Sequence, residues 1–411
     1  MPSYITGRQS TGTVLQAERK IDTPPEVFWL QKDLTPLVHI SGGGGLEVGS
    51  KSDGKLPAKK KVCVNPEFKV LEKEPRGRWT AVNYSTGYTA GATTIICDSV
   101  AHIQVGDIVK NVVKEEVVYV TARDTGANTI TVVRGFGATA AAAWADNEPL
   151  LRLATQSEEN QAPPTIHKVQ NRLRTNYCGI FRDTLGLSRT AQNSEYYGGK
   201  KKEELRQESL IELKKNIEYA FLWSEPYEDL TGPVNGAPIR TTGGLWYWGI
   251  NGGGNVTTAT TTFTKSGWLS FVRSCFQYGD AMVRVALCSP LVIEMLDYWK
   301  DGKLQMKPSE YLYGIKVAEW ETGNGTLLIV RDTILQNSPY GTTTAGYGGV
   351  AIVFDPDLVQ YRYLQNSDVA LYENVVRDGT DGFTDEHIAE VGLGVINPEN
   401  ISILKGVTTY A

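Results

Sequence analysis

Gly135-Phe136-Gly137-Ala138-Thr139-Ala140 follows a β-branched run and precedes an alanine tract, so it fits the G-x-G-x-x-[G/A] template. In that template backbone amides at a helix N-terminus hold a pyrophosphate. The chemistry would make the chain a nucleotide-dependent oxidoreductase built on Gly135 and Gly137. It requires a parallel βαβ unit and an acidic residue about 20 positions on, at the end of a second strand. Here the preceding run belongs to a hairpin, and the following helix would hold only Ala138 to Trp144 before Asp146-Asn147-Glu148-Pro149 breaks it. The polar "TQSEENQAPP" stands where the second strand should be. The glycines read better as a turn at a strand end, and no saturable binding of a nicotinamide cofactor is expected.

Other chemistry is sparse. The four histidines, His39, His102, His167 and His387, fall at no metal-ligand spacing. Asp385-Glu386-His387 reads as a solvated cluster in a strand-opening turn rather than as a catalytic base. Asp355 and Asp357 could offer paired carboxylates to a metal, but Asp-Pro-Asp after a hydrophobic strand is ordinary turn chemistry. No G-x-S-x-G elbow and no G-x-x-x-x-G-K-[ST] loop occurs. The five cysteines, Cys63, Cys97, Cys178, Cys275 and Cys288, lack C-x-x-C spacing and are odd in number, which suits reduced thiols in a cytosol. The expectation is therefore no catalytic residue, no cofactor and no metal site.

The elements that would position such residues are clearer than the residues. Residues 1–60 set a few large apolar side chains (Val27, Phe28, Trp29, Leu30, Leu37, Val38, Ile40) among polar, Pro- and Gly-broken stretches, and cannot close a core alone. Residues 84–153 hold four short β-branched runs separated by turn chemistry, with Asp124-Thr125-Gly126-Ala127-Asn128 as the clearest hairpin loop. Residues 165–192 suit a strand pair or extended arm followed by a short helical turn. The spacing of Leu210, Leu213, Ile217 and Phe221 predicts a long helix from about Glu195 to Trp223, lying across a sheet or a neighbour. Residues 225–262 read as a crossing loop with an aromatic knot at Trp246-Tyr247-Trp248, suited to a domain or subunit seam or to a stacking platform. An α/β unit follows to Asp355, and alternating runs from Gln360 predict a closing antiparallel sheet.

With 411 residues, 41% hydrophobic and 21% charged, the chain has the composition of a globular protein of two or three domains. A net charge of −5 without a dominant basic block argues against a protein that grips phosphate backbones. Met1 to Leu15 shows no charged leader with an apolar core, and no apolar run approaches the ~18 residues of a membrane span. The expected address is the cytoplasm, with no membrane partner.

The chain resembles the major capsid proteins of tailed bacteriophages with the Hong Kong 97-type fold. The likeness covers about residues 80 to 405. It is carried by Thr89–Thr94, Val105–Asp107, Val120–Ala122, Asp124–Gly126, Asn128–Val132 and Arg134–Ala142, followed by Asn176-Tyr177, Ile180–Thr184, Ser188 and Thr190–Gln192. "RTTGGL" (240–245) and "FDPDLVQYRYL" (354–364) add to it. The resemblance implies an α+β Hong Kong 97-type capsid fold with an inserted antiparallel β module at 84–153. The N-terminal arm would be 1–50 and the extended-loop region 51–83 with 154–180. A peripheral domain with a long spine helix would comprise 181–228 and 361–411, and an axial α/β domain 229–360.

It also implies a non-enzymatic shell subunit of an icosahedral or prolate head, assembling with copies of itself as hexamers and pentamers. Scaffold, portal and decoration proteins would be further partners, and the shell would enclose double-stranded DNA without sequence-specific binding. The protein would be assembled in the bacterial cytoplasm and reside in the virion. An encapsulin-like compartment shell is the alternative within the same fold. Some relatives cross-link Lys to Asn between subunits, and Lys59, Lys60 and Lys61 lie in a suitable loop, which also suits a solvated basic stretch. Candidate intersubunit contacts are Lys59, Lys60, Lys61, Arg76, Arg78, Trp246 and Trp248.

Overall fold

The computed structural model describes residues 35–42, 60–160, 168–194, 201–259, 262–299, 306–312, 315–336, 348–375 and 381–411. The chain divides into two compact units, one of Met1–Val70 with Arg174–Ala411 and one of Leu71–Leu173.

The second unit is an antiparallel sheet. Its strands run in the order Trp79–Ala81, Pro149–Thr155, Asp107–Asn111, Val117–Asp124, Thr129–Val133, Thr94–Ile96. The β-branched runs legible in the sequence supply four of these strands, and Trp79–Ala81 and Pro149–Thr155 complete the sheet. Period-two alternation puts Val118, Val120, Ile130 and Val132 into one core with Ile95, Leu150 and Trp144, all at most 2% exposed. The hairpin at 124–129 closes as its residue types require. Asp124 Oδ1 accepts from Gly126 N at 2.8 Å, and Asn128 takes φ 51°.

The first unit is built on two sheets. A seven-stranded mixed sheet runs Asn255–Thr258, Ser402–Lys405, Ala351–Phe354, Val283–Cys288, Gly325–Arg331, Ile315–Thr322, Met306–Leu312. Its central strands are apolar along their length because both faces are covered. Val285, Leu287, Leu328, Val330, Ile352 and Phe354 share a core with the long helix Lys201–Trp223, through Leu213, Ile217 and Phe221. The alternate residues Ala286, Cys288, Leu327, Ile329, Ala351 and Val353 pack with Trp268 and Phe271 of the helix Lys265–Cys275 and with Val292 and Met295 of Pro290–Tyr298. Both covering helices start on matching chemistry. Thr264 and Ser289 accept from the amides of Gly267 and Val292, and Pro290 sits in the first turn.

The second sheet of this unit orders Lys61–Cys63, Val359–Leu364, Phe383–Val395 and Gly179–Leu187, with Ala370–Tyr372 also paired to Phe383–Val395. The long helix lies against it, as its narrow apolar stripe predicts. Residues 195–200 of the expected helix lie outside the described residues.

Two local readings differ from the sequence expectation. The aromatic knot is not in an open loop but in a short helix, Leu245–Asn251. Leu245, Trp248 and Gly249 stand at i, i+3 and i+4 and bury one face, a period hidden by the surrounding glycines and threonines. The strand Ser402–Lys405, grouped from sequence with 361–395, pairs instead with Ala351–Phe354 and Asn255–Thr258. Its consecutive buried residues explain why: Ile403 enters one core and Leu404 the other.

Candidate assembly surfaces and buried ion pairs

The glycine loop after Thr129–Val133 does cradle an anion, and that anion is the protein's own Glu116. Arg134 donates to its carboxylate from Nε (2.8 Å) and Nη2 (2.7 Å), Trp144 from Nε1 (2.7 Å), and the amides of Gly135 and Ala142 at 3.0 and 3.1 Å. Burial alone would lift the Glu116 pKa, but these donors hold it below the usual carboxylate range. Arg134 also lies 4.3 Å over the Trp144 ring. Ala138–Trp144 forms no helix, and Trp144 bridges back to Tyr88. Gly135 and Gly137 take φ 60° and 77°, the left-handed region that makes the turn. A Cβ on Gly137 would meet nothing within 4 Å, so Gly137→Ala is expected to cost only the conformational penalty, about 1 kcal/mol. Urea unfolding of the variant measures it.

Asp107 anchors the same unit at another point. Arg152 donates to it from Nε at 2.5 Å, Thr155 Oγ1 at 2.5 Å and Gln104 N at 2.8 Å. Two predicted contact residues lie close by. Arg76, half-buried, donates from Nε to His102 O at 2.8 Å and places Nη2 3.5 Å from Asp107. Arg78, exposed, donates to Leu153 O at 2.9 Å.

In the first unit, Lys59 lies outside the described residues. Lys60 forms an ion pair with Asp368 and stands 5.3 and 5.1 Å from the ring centroids of Tyr361 and Tyr363. Lys61 is exposed at the start of the strand that pairs with Arg362–Leu364. Trp246 is half-buried at the margin of the main core, 5.1 Å from Trp223. Trp248 is 9% exposed and donates from Nε1 to Gly243 O at 3.2 Å. The candidate residues thus do not converge on one site. Missed from the sequence is the hairpin of Tyr227–Asp229 and Ile239–Thr241, which presents Tyr227, Leu230, Val234 and Ile239 at 57%, 67%, 96% and 46% exposure. Apolar residues flanking "GPVNGAP" were the only available signal.

Asp385-Glu386-His387 corrects the expectation of a solvated cluster, since all three are at most 5% exposed. Arg206 donates to Asp385 at 2.8 and 2.5 Å, Arg182 to Glu386 at 2.6 and 2.9 Å, and Ser209 Oγ lies 2.9 Å from His387 Nδ1. These contacts tie strand Phe383–Val395 to the long helix and to Gly179–Leu187. Asp355 accepts from Asp357 N at 2.9 Å and caps the turn Pro356–Leu358. Glu218, fully buried, receives Leu37 N at 2.6 Å and Val38 N at 2.7 Å, fastening the short helix Pro36–Ser41 to the long helix.

The chain is thus an α+β scaffold in which Asp107, Glu116, Asp385 and Glu386 are engaged by its own arginines, with apolar side chains exposed on the 227–241 hairpin. The family model "SU10 major capsid protein" matches residues 9–408, and the chain belongs to that family of capsid shell proteins. A search of curated proteins finds no match. Among solved structures the chain is similar to the capsid of a native GTA particle (10% identity, TM-score 0.49, covering 98% of this chain and 99% of that one). It is similar also to the capsid of the cyanophage P-SCSP1u (12% identity, TM-score 0.37, 63% and 80%). A third is the holo-SrpI encapsulin complex from Synechococcus elongatus PCC 7942 (12% identity, TM-score 0.42, 59% and 80%).

Proposed function

We propose that this chain is the wall-building subunit of a tailed-phage head, assembling as hexamers and pentamers around double-stranded DNA and doing no catalysis. The family match across residues 9–408 carries the reading. Of the arm expected at residues 1–50, Pro36–Ser41 is fastened to the chain's own long helix through Leu37, Ile40 and Glu218, and residues 1–34 and 43–50 lie outside the described residues. Scaffold, portal and decoration proteins are its further partners, and assembly takes place in the bacterial cytoplasm before the subunit is carried in the virion. Lys61, Arg78 and the 227–241 hairpin contribute contacts between copies, each modest and large in sum.

Expression alone or with a scaffold, followed by electron microscopy, is expected to give uniform hollow particles that hold DNA in the infected cell rather than a cargo enzyme. A stable monomer under assembly conditions would overturn the reading. Val234→Asp places a charge on the most exposed apolar side chain of the hairpin. It is expected to cut the assembled fraction severalfold in sedimentation, without shifting the unfolding midpoint.

A further inference from the structure

Cys63 and Cys178 are far apart in the chain yet form, with Phe68, a small apolar cluster of their own at 5%, 3% and 6% exposure. Backbone hydrogen bonds hold them there. Cys63 ends the strand Lys61–Cys63 and its carbonyl accepts from Gln365 N at 2.9 Å; the chain then turns so that Pro66 O accepts from Cys178 N at 2.8 Å. Arg362 stands on the same face, two positions before the register partner of Cys63 on the neighbouring strand. Its Cζ is 5.0 Å from the Phe68 centroid and, among the described residues, its buried Nε has no oxygen or nitrogen partner.

The two thiols are chemically unlike. The Cys178 thiol donates to Cys63 and, against burial and with the help of the Arg362 charge, brings the Cys63 pKa down to about 7. The same hydrogen bond, with burial, pushes Cys178 up. Burial lifts Cys97 and Cys275 to about 12 and raises Cys288 as well, so those three are poor nucleophiles in the folded chain.

We propose that Cys63 and Cys178 form a thiol–disulfide exchange site that closes an intramolecular cross-link when the folded protein meets a low-molecular-weight disulfide. The Cys63 thiolate attacks one sulfur of the oxidant, forming a mixed disulfide and expelling one small thiolate. Cys178 then gives up its proton and attacks the Cys63 sulfur, forming the protein disulfide and expelling the second small thiolate. The two protein thiols are oxidised and the small disulfide is reduced to two thiols. Reducing cytoplasm keeps the pair open and oxidising surroundings close it. The closed ring spans residues 63–178 and so contains the whole inserted segment Leu71–Leu173, the second unit.

The test uses the full-length folded protein and oxidised glutathione, followed by alkylation, denaturation and peptide mapping. The expected result is a peptide pair joined through Cys63 and Cys178, an intact mass lower by two hydrogens per chain, and an unfolding midpoint raised by several degrees that a reductant reverses. Cys178→Ser is expected to stop at one glutathionyl group on Cys63, Cys63→Ser to take none, and Arg362→Gln to close severalfold more slowly near neutral pH. The map of the unmutated protein suffices by itself. If its thiols stay free, stop at glutathionylated Cys63 or link separate chains, the proposal is wrong.

Discussion

Glu116→Ala is expected to destabilise the second unit by about 3–5 kcal/mol, the cost of removing one partner from a buried ion pair. The size follows from what stays behind. Arg134 has a side chain only 6% exposed, and it would keep its charge with no carboxylate beside it. The indole of Trp144 and the amides of Gly135 and Ala142 would also lose their acceptor. Hydrogen exchange over residues 79–155 checks the result and is expected to speed up there far more than in strands Val283–Cys288 and Gly325–Arg331, which belong to a separate core. Acid should act in the same direction. The folded Glu116 pKa lies below its ordinary 4.5, so the stability it contributes is complete above that value and is lost as the pH falls through the folded one. Glu116→Gln is expected to flatten this acid limb, and an unchanged limb would show that the carboxylate is not the group responsible.

The second large effect is expected at Glu218. Replacing it by Ala leaves the amides of Leu37 and Val38 without an acceptor in a dry interior, a loss of about 2–5 kcal/mol. Limited proteolysis should then cut near residues 35–42 well before the long helix. Asp332 gives the opposing result. It is 1% exposed, its Oδ1 accepts from Ile334 N at 2.9 Å and, among the described residues, its Oδ2 has no partner. Burial raises its pKa from 3.8 to about 6, and burial followed by the nearby Asp332 charge raises Glu218 as well. A carboxyl with a raised folded pKa binds more protons in the folded state, so stability declines as the pH rises from 3.8 to about 6. Asp332→Asn keeps the acceptor for Ile334 and removes the charge. Above pH 6 it is expected to stabilise the protein on the order of 2 kcal/mol, with little change in acid. Urea unfolding of both proteins across that pH range decides it.

Much of the architecture was legible because it is written in local periodicity. The alternation of Val118, Val120, Ile130 and Val132 announces a half-buried sheet, and Leu213, Ile217 and Phe221 announce the helix face that covers the central strands. The polar anchors were not legible, for one physical reason. Glu218 follows Ile217 on the helix and looks like one more solvated carboxylate until residues 181 and 180 positions away bring their amides to it. Asp385 and Glu386 read as surface charge because Arg206 and Arg182 stand 179 and 204 positions back. A buried charge is affordable only once its partner has arrived, and sequence windows do not see the partner. Of the candidate contact residues, Trp246 and Trp248 were visible as an aromatic cluster, but their helical period was masked by the glycines around them.

The inserted sheet has its own core and its own ion pairs, and the strands that flank it are drawn together where Pro66 accepts from Cys178. Ends pinned so near each other make loop length nearly free. The insertion point is therefore a socket: a different domain of any size, spliced in place of Leu71–Leu173, would ride on the wall without disturbing the fold that builds it.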